Sequence, residues 1–259
     1  MRVALAAFFV ACGALCQSSA PAFEVASVKP SDGHLGIDMK TFPTRLSSTC
    51  SLHQLIEAAY SVERWQVTGG PTWLDGDVFD IEAKTNEDLG GDTDRVTALG
   101  RPAPRRMMLM LQTLLAERFN LKVHRETRQD DVFELVVAKG GPRLQTPKDT
   151  ARSFVGSGRG KIDPSAVDLS RATTIITGHN ASMEQLAQFL RGLMRGPVED
   201  KTGIQGKFDF SVEYASNDST ADAPAFSTAL SEAVGVKLNA TKGPVEFLVV
   251  DRADKPSAN

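Results

Sequence analysis

Cysteine and aromatic residues are scarce in this sequence, and their scarcity argues against two kinds of protein. The chain has 259 residues but only 3 Cys, and Cys12 and Cys16 lie in the apolar N-terminal stretch. Cys50 stands alone in the remainder, so no intramolecular disulfide is expected there. It stands just before a predicted helix. Two interpretations are a partly buried small residue at a strand–helix junction and a thiolate stabilised by the helix start. Aromatic residues make up 7% of the chain, which gives no obvious platform for stacking bases or sugars.

The sequence also lacks an excess of positive charge and any recognisable metal-binding or catalytic motif. The formal net charge is −3, which argues against a nucleic-acid partner. None of the 4 His forms a close ligand pair such as His-Glu-x-x-His, so we predict no metal and no cofactor. His53 and Glu57 are one helical turn apart. This spacing suits either a weak divalent-cation site or a solvated pair of side chains.

The N-terminus has the composition of a signal peptide. Arg2 supplies a positive charge, residues 3–15 form an apolar run too short to span a bilayer comfortably, and small residues follow. We predict a signal peptide over residues 1–20 and an exported protein of the periplasm or the extracellular space, without stable membrane insertion after cleavage. The alternative is that the segment is retained as a membrane anchor.

The clearest structural pattern lies between Ser182 and Tyr214. Ser182 and Gln185 have the spacing of a capping box, and apolar residues then recur at helical spacing until Gly196-Pro197. Apolar and polar residues alternate from Phe208 onwards, which is typical of a half-buried strand. A looser copy of this helix-and-strand unit occupies residues 51–85.

The repeated unit predicts an α+β fold of two related modules. Each module reads strand–helix–strand, then helix–strand–strand, with helices packed on small mixed sheets, and an internal duplication explains the similarity. The predicted modules are residues 23–139 and 169–259, joined by a Gly- and Pro-rich linker or excursion over 140–168. Each module is expected to end in a hairpin, the first turning at 127–131 and the second at 242–244.

Five patterns are spread along the chain: Phe23-Glu-Val-Ala-Ser-Val-Lys-Pro30, Leu55-Ile-x-x-Ala59-Tyr60, Gly69-Gly70-Pro71-x-Trp73-Leu74 with Phe79-Asp80-Ile81-x-Ala83, Leu114-Leu115-Ala-x-Arg118-Phe119-x-Leu121, and Pro197-Val-x-Asp200-Lys-Thr-Gly203 with Phe208-Asp209-Phe210. Together they resemble a large family of exported bacterial proteins of unknown function, abundant in soil acidobacteria. The resemblance covers nearly the whole mature chain. The family also looks like a module appended to some membrane-embedded, antibiotic-sensor-type metallopeptidases. The resemblance implies an exported domain and supplies no activity.

The second half carries another pattern, in its element order and in Leu186, Leu190, Val198, Leu230, Gly235 and Val236. This pattern resembles the short N-terminal domain of secretins and of signalling TonB-type outer-membrane transporters. That resemblance implies a compact domain used for protein contacts in the periplasm.

Asp200-Lys201-Thr202-Gly203 invites two enzymatic interpretations. The motif resembles the phospho-acceptor sequence of ion-pumping ATPases, but Ile204 replaces a Thr and the membrane helices of those pumps are missing. Lys201-Thr202-Gly203 also matches one motif of penicillin-binding enzymes, but the sequence after residue 20 contains no Ser-x-x-Lys. The residue types favour a tight turn, capped by Asp200, with Gly203 at positive φ and Lys201 solvated.

Two Trp and a pair of Arg are the other candidate binding residues. Trp65 and Trp73 flank Gly69-Gly70-Pro71. Two roles are considered for them: a platform that contacts a ligand or partner, and side chains that cover the hydrophobic core. Arg105 and Arg106 begin a predicted helix, where cations oppose the helix dipole. They are therefore candidates for an edge that contacts an anion or a partner.

Three hypotheses follow for function. The first is an exported, non-catalytic interaction or scaffold domain that binds a protein partner in the cell envelope. The second is a hydrolase or sensor that acts on or binds an envelope ligand such as a peptidoglycan fragment. It needs Asp80, His124, Asp200 or Asp209 to converge in a cleft with shifted pKa values. The third is a purely structural module without a well-formed pocket. The oligomeric state is left open.

Overall fold

The computed structural model describes residues 20–32, 38–90, 103–159, 173–215 and 224–256. In these ranges the chain forms an α+β fold, as predicted. The elements in chain order are β1 (Val25–Pro30), β2 (Asp38–Phe42), β3 (Arg45–Ser51), α1 (Leu52–Tyr60), a 3₁₀ segment (Arg64–Gln66), β4 (Val67–Gly69), α2 (Trp73–Gly76), β5 (Val78–Lys84), α3 (Arg105–Arg118), β6 (Lys122–Val137), β7 (Phe154–Arg159), β8 (Thr173–Ala181), α4 (Met183–Met194), β9 (Val198–Asp200), β10 (Phe208–Ala215), α5 (Phe226–Ala233) and β11 (Val236–Arg252).

The strands form three small sheets. The first has the order β1-β5-β3-β2 and the second the order β10-β8-β7, and both are antiparallel. The third has the order β4-β11-β6-β9, with antiparallel β6 and β11 at its centre and parallel pairs at its two edges. No helix in the described ranges has the length and apolar character that crossing a membrane requires.

The long ribbon formed by β6 and β11 replaces the two predicted hairpins. Both hairpin predictions were wrong, because each strand runs straight through its predicted turn and pairs with the other strand. The polar residues of the predicted turns find cross-strand partners instead. Lys242 Nζ lies 2.8 Å from Asp131 Oδ1, and Arg125 pairs with Glu246. Opposite charges facing each other stabilise an exposed ribbon, so a polar run did not mark a chain reversal here.

The ribbon also connects two hydrophobic cores. The first core lies among the β1–β5 sheet, α1 and α3, and it includes Leu248 and Val250 from β11. The second core lies among β8, β10, α4 and α5, and it includes Leu135 from β6. The last strand of each predicted module therefore contributes to the core of the other one.

The capping box predicted at Ser182 is present, and the first helix, whose cap was predicted at Ser51 or Thr49, also begins with a capping box, at Ser51. The Ser51 hydroxyl accepts the backbone N–H of Gln54, and the Ser182 hydroxyl accepts that of Gln185. In both cases the Gln side chain accepts the backbone N–H of the Ser in return. Two backbone N–H groups that would otherwise lack an acceptor are thus hydrogen-bonded at the start of each helix. The similarity agrees with an internal duplication, which itself stays a prediction.

The described part of the predicted linker is fixed to the second half. Gln145 and Asp209 exchange backbone hydrogen bonds of 3.3 and 2.9 Å, and the N–H of Arg143 donates to the carbonyl of Val234 at 2.8 Å. β7 then pairs with β8. Residues 160–168 of the predicted linker and residues 1–19 of the predicted signal peptide lie outside the described ranges.

Candidate functional site

Trp65 is held against the β6–β11 ribbon. Its ring centroid lies 6.1 Å from that of Phe247 in a T-shaped arrangement, and the Arg128 guanidinium lies 5.1 Å from the centroid of Phe247. The neighbouring side chain of Gln66 donates a hydrogen bond of 2.9 Å to the carbonyl of Glu246. The 3₁₀ segment is therefore fixed to β11 both by ring packing and by a hydrogen bond.

The indole N–H of Trp65 is buried without an acceptor in the described part of the chain. The hydroxyls of Ser61 and Thr68, on either side of the same segment, are buried in the same state. A buried donor left without a partner costs about 1–3 kcal/mol. Unsatisfied polar atoms are few in native proteins, and each one calls for an explanation.

A cleft of about 450 Å³ opens beside this segment. It is lined by Glu63, Arg64, Trp65, Gly192 and Arg195, and we refer to it as the Trp65 cleft. The first three residues follow α1, whereas the last two lie at the C-terminal end of α4. The cleft therefore lies between the two predicted modules, with the 3₁₀ segment on one side and the end of α4 on the other.

Arg64 is the best-paired side chain of the Trp65 cleft. It donates a hydrogen bond to Asp75, and its Nη1 lies 3.7 Å from Glu57 Oε1. Glu57 Oε1 in turn lies 2.8 Å from Nδ1 of His53. His53 and Glu57 are both buried, so the prediction of a solvated pair was wrong although the pair itself forms. The pair is buried because α1 is covered on nearly every side, so that only Gln54 and Tyr60 of its 9 residues are not buried.

Glu63 is a half-buried acid in the same cleft. Burial raises the pKa of its carboxyl group, the positive charge of Arg191 opposes this rise, and the negative charge of Glu57 adds to it. The Nε of Arg191 also donates to the carbonyl of Val198 at 3.4 Å. The Glu63 carboxyl therefore faces a cation from the second half of the chain and an anion from the first.

Arg195 differs from the other cations of the cleft because its side chain has no partner in the described ranges. It is exposed, and it closes α4 in the left-handed conformation, with φ of 52° and ψ of 41°. That conformation is uncommon for residues other than Gly, Asn and Asp. The guanidinium is thus left with its hydrogen-bonding capacity unused at the edge of the cleft.

Trp73 does not join Trp65 in this cleft. Its ring centroid lies 6.1 Å from that of Phe79 in the first core, and the ammonium of Lys255 lies 5.7 Å from its ring centroid. Trp73 therefore covers the first core, which is the second of the two roles considered for it.

The predicted arginine edge is only half available. Arg106 forms two hydrogen bonds with Glu87, and these raise the pKa of the guanidinium and lower the pKa of the carboxyl group. Arg105 is exposed and has no partner in the described ranges. The two adjacent cations therefore have different environments, and among the described residues only Arg106 has a partner.

Asp200-Lys201-Thr202-Gly203 forms the predicted tight turn. The backbone N–H and the hydroxyl of Thr202 donate to Asp200 Oδ1 at 2.9 and 2.7 Å, and Gly203 has φ of 68°. Lys201 lies 2.9 Å from Glu199, and this contact raises the pKa of the ammonium. The carboxylate of Asp200 is occupied in closing a turn, as expected from Asp at such positions.

The four groups considered for the hydrolase hypothesis do not meet in the described structure. No contact there joins any two of them, and no group of three or more His, Cys, Asp or Glu could hold a metal ion. Each has its own partners: Asp80 accepts the hydroxyl of Thr49 at 2.7 Å, His124 pairs with Asp251 at 2.9 Å, Asp200 binds Thr202, and Asp209 accepts the backbone N–H groups of Asn180 and Lys148 at 2.9 and 3.0 Å.

Sequence reasoning found Trp65 and missed the other residues of its cleft. Glu63 and Arg64 adjoin Trp65 in the chain, so their proximity was a usable local signal. Arg195 had no such signal, because it is brought to Trp65 only by the folding of the two halves on one ribbon. Cys50 lies at the predicted strand–helix junction, near the end of β3, and it is fully rather than partly buried.

The observed architecture defines an α+β protein whose two cores share a central ribbon. The chain belongs to the family described as proteins of unknown function, DUF3738, whose model matches residues 53–253. The matched region includes both sides of the Trp65 cleft. Neither the curated proteins nor the solved structures gave a match.

Proposed function

We propose that this protein is an exported, non-catalytic binding module that engages a protein partner of the cell envelope through the Trp65 cleft. The observation that carries the proposal is the lining of the Trp65 cleft, which places a half-buried Trp on one side and an exposed Arg without a described partner on the other. Trp and Arg are the residues that most often supply binding energy at interfaces. The envelope location rests on the signal-like composition of residues 1–20 and on the resemblance to exported bacterial proteins.

The cleft is also held in shape before any partner arrives. The Gln66 side chain is bonded to Glu246, and Trp65 packs against Phe247. A site that is already ordered loses little conformational entropy on binding, which favours affinity.

No observation on the described residues favours the hydrolase alternative, because the groups considered for it have separate partners. Asp80 and Asp200 are engaged by hydroxyl groups, and Asp209 is engaged by backbone N–H groups. None of these lies in the Trp65 cleft.

The proposal is tested by capture from an envelope fraction of the source cells. Tagged protein comprising residues 20–259 is compared with Trp65→Ala, Arg195→Ala and the control Arg105→Ala. We expect one protein to be captured by the wild type and by Arg105→Ala, and to be lost with the other two variants. Circular dichroism checks that all four are folded.

The control is matched, because Arg105 is also an exposed Arg without a partner in the described ranges. Capture of the same protein by folded Trp65→Ala and Arg195→Ala, at the wild-type level, would contradict the proposed role of the cleft.

A further inference from the structure

The charges around the Trp65 cleft are balanced except at one point. Arg64 is compensated by Glu57 and Asp75, and Arg191 acts on Glu63. Arg195 alone keeps a charge that no described residue neutralises. The cleft therefore offers one free cation rather than a broad positive surface.

The same cleft also offers a partly free acceptor. Glu63 lines it and is half-buried, and its carboxyl group makes no hydrogen bond to Arg64, which turns to Asp75 and Glu57. For a ligand that carries one anionic oxygen and one N–H group, the lining of the cleft provides Arg195 for the first and Glu63 for the second. A doubly charged anion would be repelled by Glu63, and a simple amine would be repelled by Arg195.

The size of the cleft limits the ligand further. Its volume of about 450 Å³ lies within the range of pockets that take small molecules. It therefore accepts one or two residues of a chain rather than the side of a folded domain.

We propose that the Trp65 cleft binds the carboxyl-terminal end of a peptide chain. The terminal carboxylate binds the guanidinium of Arg195, the backbone N–H of the last residue donates to the carboxylate of Glu63, and the last side chain packs beside Trp65. Arg binds carboxylates through charge-assisted hydrogen bonds, often with two parallel N–H groups. The inference rests on the proposed function and narrows its ligand to a chain end.

The test uses acetylated peptides of sequence Gly-Gly-Gly-Xaa, one for each standard amino acid at Xaa. Each is made once with a free carboxylate and once with a terminal amide. Binding is followed by the fluorescence of Trp65 in a Trp73→Phe background, where Trp65 is the sole remaining Trp. Anisotropy of labelled peptides with the wild-type protein gives a second measurement that does not depend on the Trp73 substitution.

We expect at least one free-acid peptide to bind, and its amide to bind about tenfold more weakly or worse, because a hydrogen bond to a charged group contributes roughly 1.5–3 kcal/mol. Arg195→Gln should reduce the free acid to the level of the amide, and Glu63→Ala should weaken both forms. Arg105→Gln should leave both forms unchanged.

Equal affinity of acid and amide would overturn the assignment of a carboxylate to Arg195, and so would the absence of binding by every peptide. Neither result would affect the proposed function if partner capture still depends on Trp65. Capture that is independent of Trp65 and Arg195 would instead overturn the proposed function itself.

Discussion

The shared ribbon predicts that damage to the second core destabilises the first. Leu230 is fully buried in the second core, whereas both Trp residues lie in the first half, at the 3₁₀ segment and in α2. Truncating a buried Leu to Ala costs about 2–5 kcal/mol. With an unfolding slope of roughly 3 kcal/mol per molar urea for a chain of this size, Leu230→Ala should lower the urea midpoint by about 1 M.

The decisive measurement compares two probes of the same unfolding transition. Trp fluorescence reports on the first half, and far-ultraviolet circular dichroism reports on the whole chain. Because Leu248 and Val250 of β11 belong to the first core and Leu135 of β6 belongs to the second, we expect both probes to shift together. Coincident transitions are the standard sign of one cooperative unit.

A control substitution separates this effect from a general one. Leu109→Ala removes a Leu that is 40% exposed, and it should change the stability by less than about 0.5 kcal/mol. If Leu230→Ala leaves the Trp transition in place while circular dichroism shows two steps, the halves unfold independently and the reasoning from the shared ribbon is refuted.

Three further predictions concern single residues, each checked by urea unfolding. Gly235→Ala should destabilise the protein strongly, because the φ of Gly235 is +78° and an added Cβ would lie 2.1 Å from the carbonyl oxygen of Gly141. Gly158→Ala is the control and should be tolerated, because a Cβ at Gly158 would meet nothing within 4 Å. The pKa of Asp209 is lowered, chiefly by the hydrogen bond from the backbone N–H of Asn180. Its contribution to folding stability is therefore present above the pKa of the unfolded state and is lost as the pH falls through the folded-state pKa. Asp209→Asn should be less stable than the wild type at neutral pH but not in acid, and a loss of stability independent of pH would contradict this. The pKa of Glu63 is raised by burial, so its contribution to folding stability is present below the unfolded-state pKa and is lost as the pH rises through the folded-state pKa. Glu63→Gln should therefore be at least as stable as the wild type at neutral pH, and it should lose any such advantage in acid.

Local signals in the sequence predicted α1 and α4 but not the short α2. The capping box at Ser182 is present as expected, and the one at Ser51 lies at one of the two positions predicted for that cap. The tight turn at Asp200 likewise depends on its immediate neighbours. Such features are decided within a few residues, so a single sequence contains the information needed to predict them.

Features that depend on distant residues were not predictable in the same way. The polar runs within β6 and β11 have the composition of turns, and only their mutual pairing makes them strands. No bounds were predicted for the strand before Cys50, because Ser47-Ser48-Thr49 lacks apolar alternation, although β3 pairs on both sides with β2 and β5. The Trp65 cleft was missed for the same reason, since no pattern links residue 65 to residue 195.

The exchange of strands between the two cores also has a consequence for the order of folding. β4 is synthesised early, yet its only pairing partner in the described structure is Leu248–Val250 of β11, close to the end of the chain. The first half must therefore wait for nearly the whole polypeptide before its core is closed. Contacts between residues so far apart in sequence slow folding. A chain interrupted before β11 would leave apolar surface exposed in its first half. Resistance of that half to proteolysis would therefore indicate that β11 had already been synthesised.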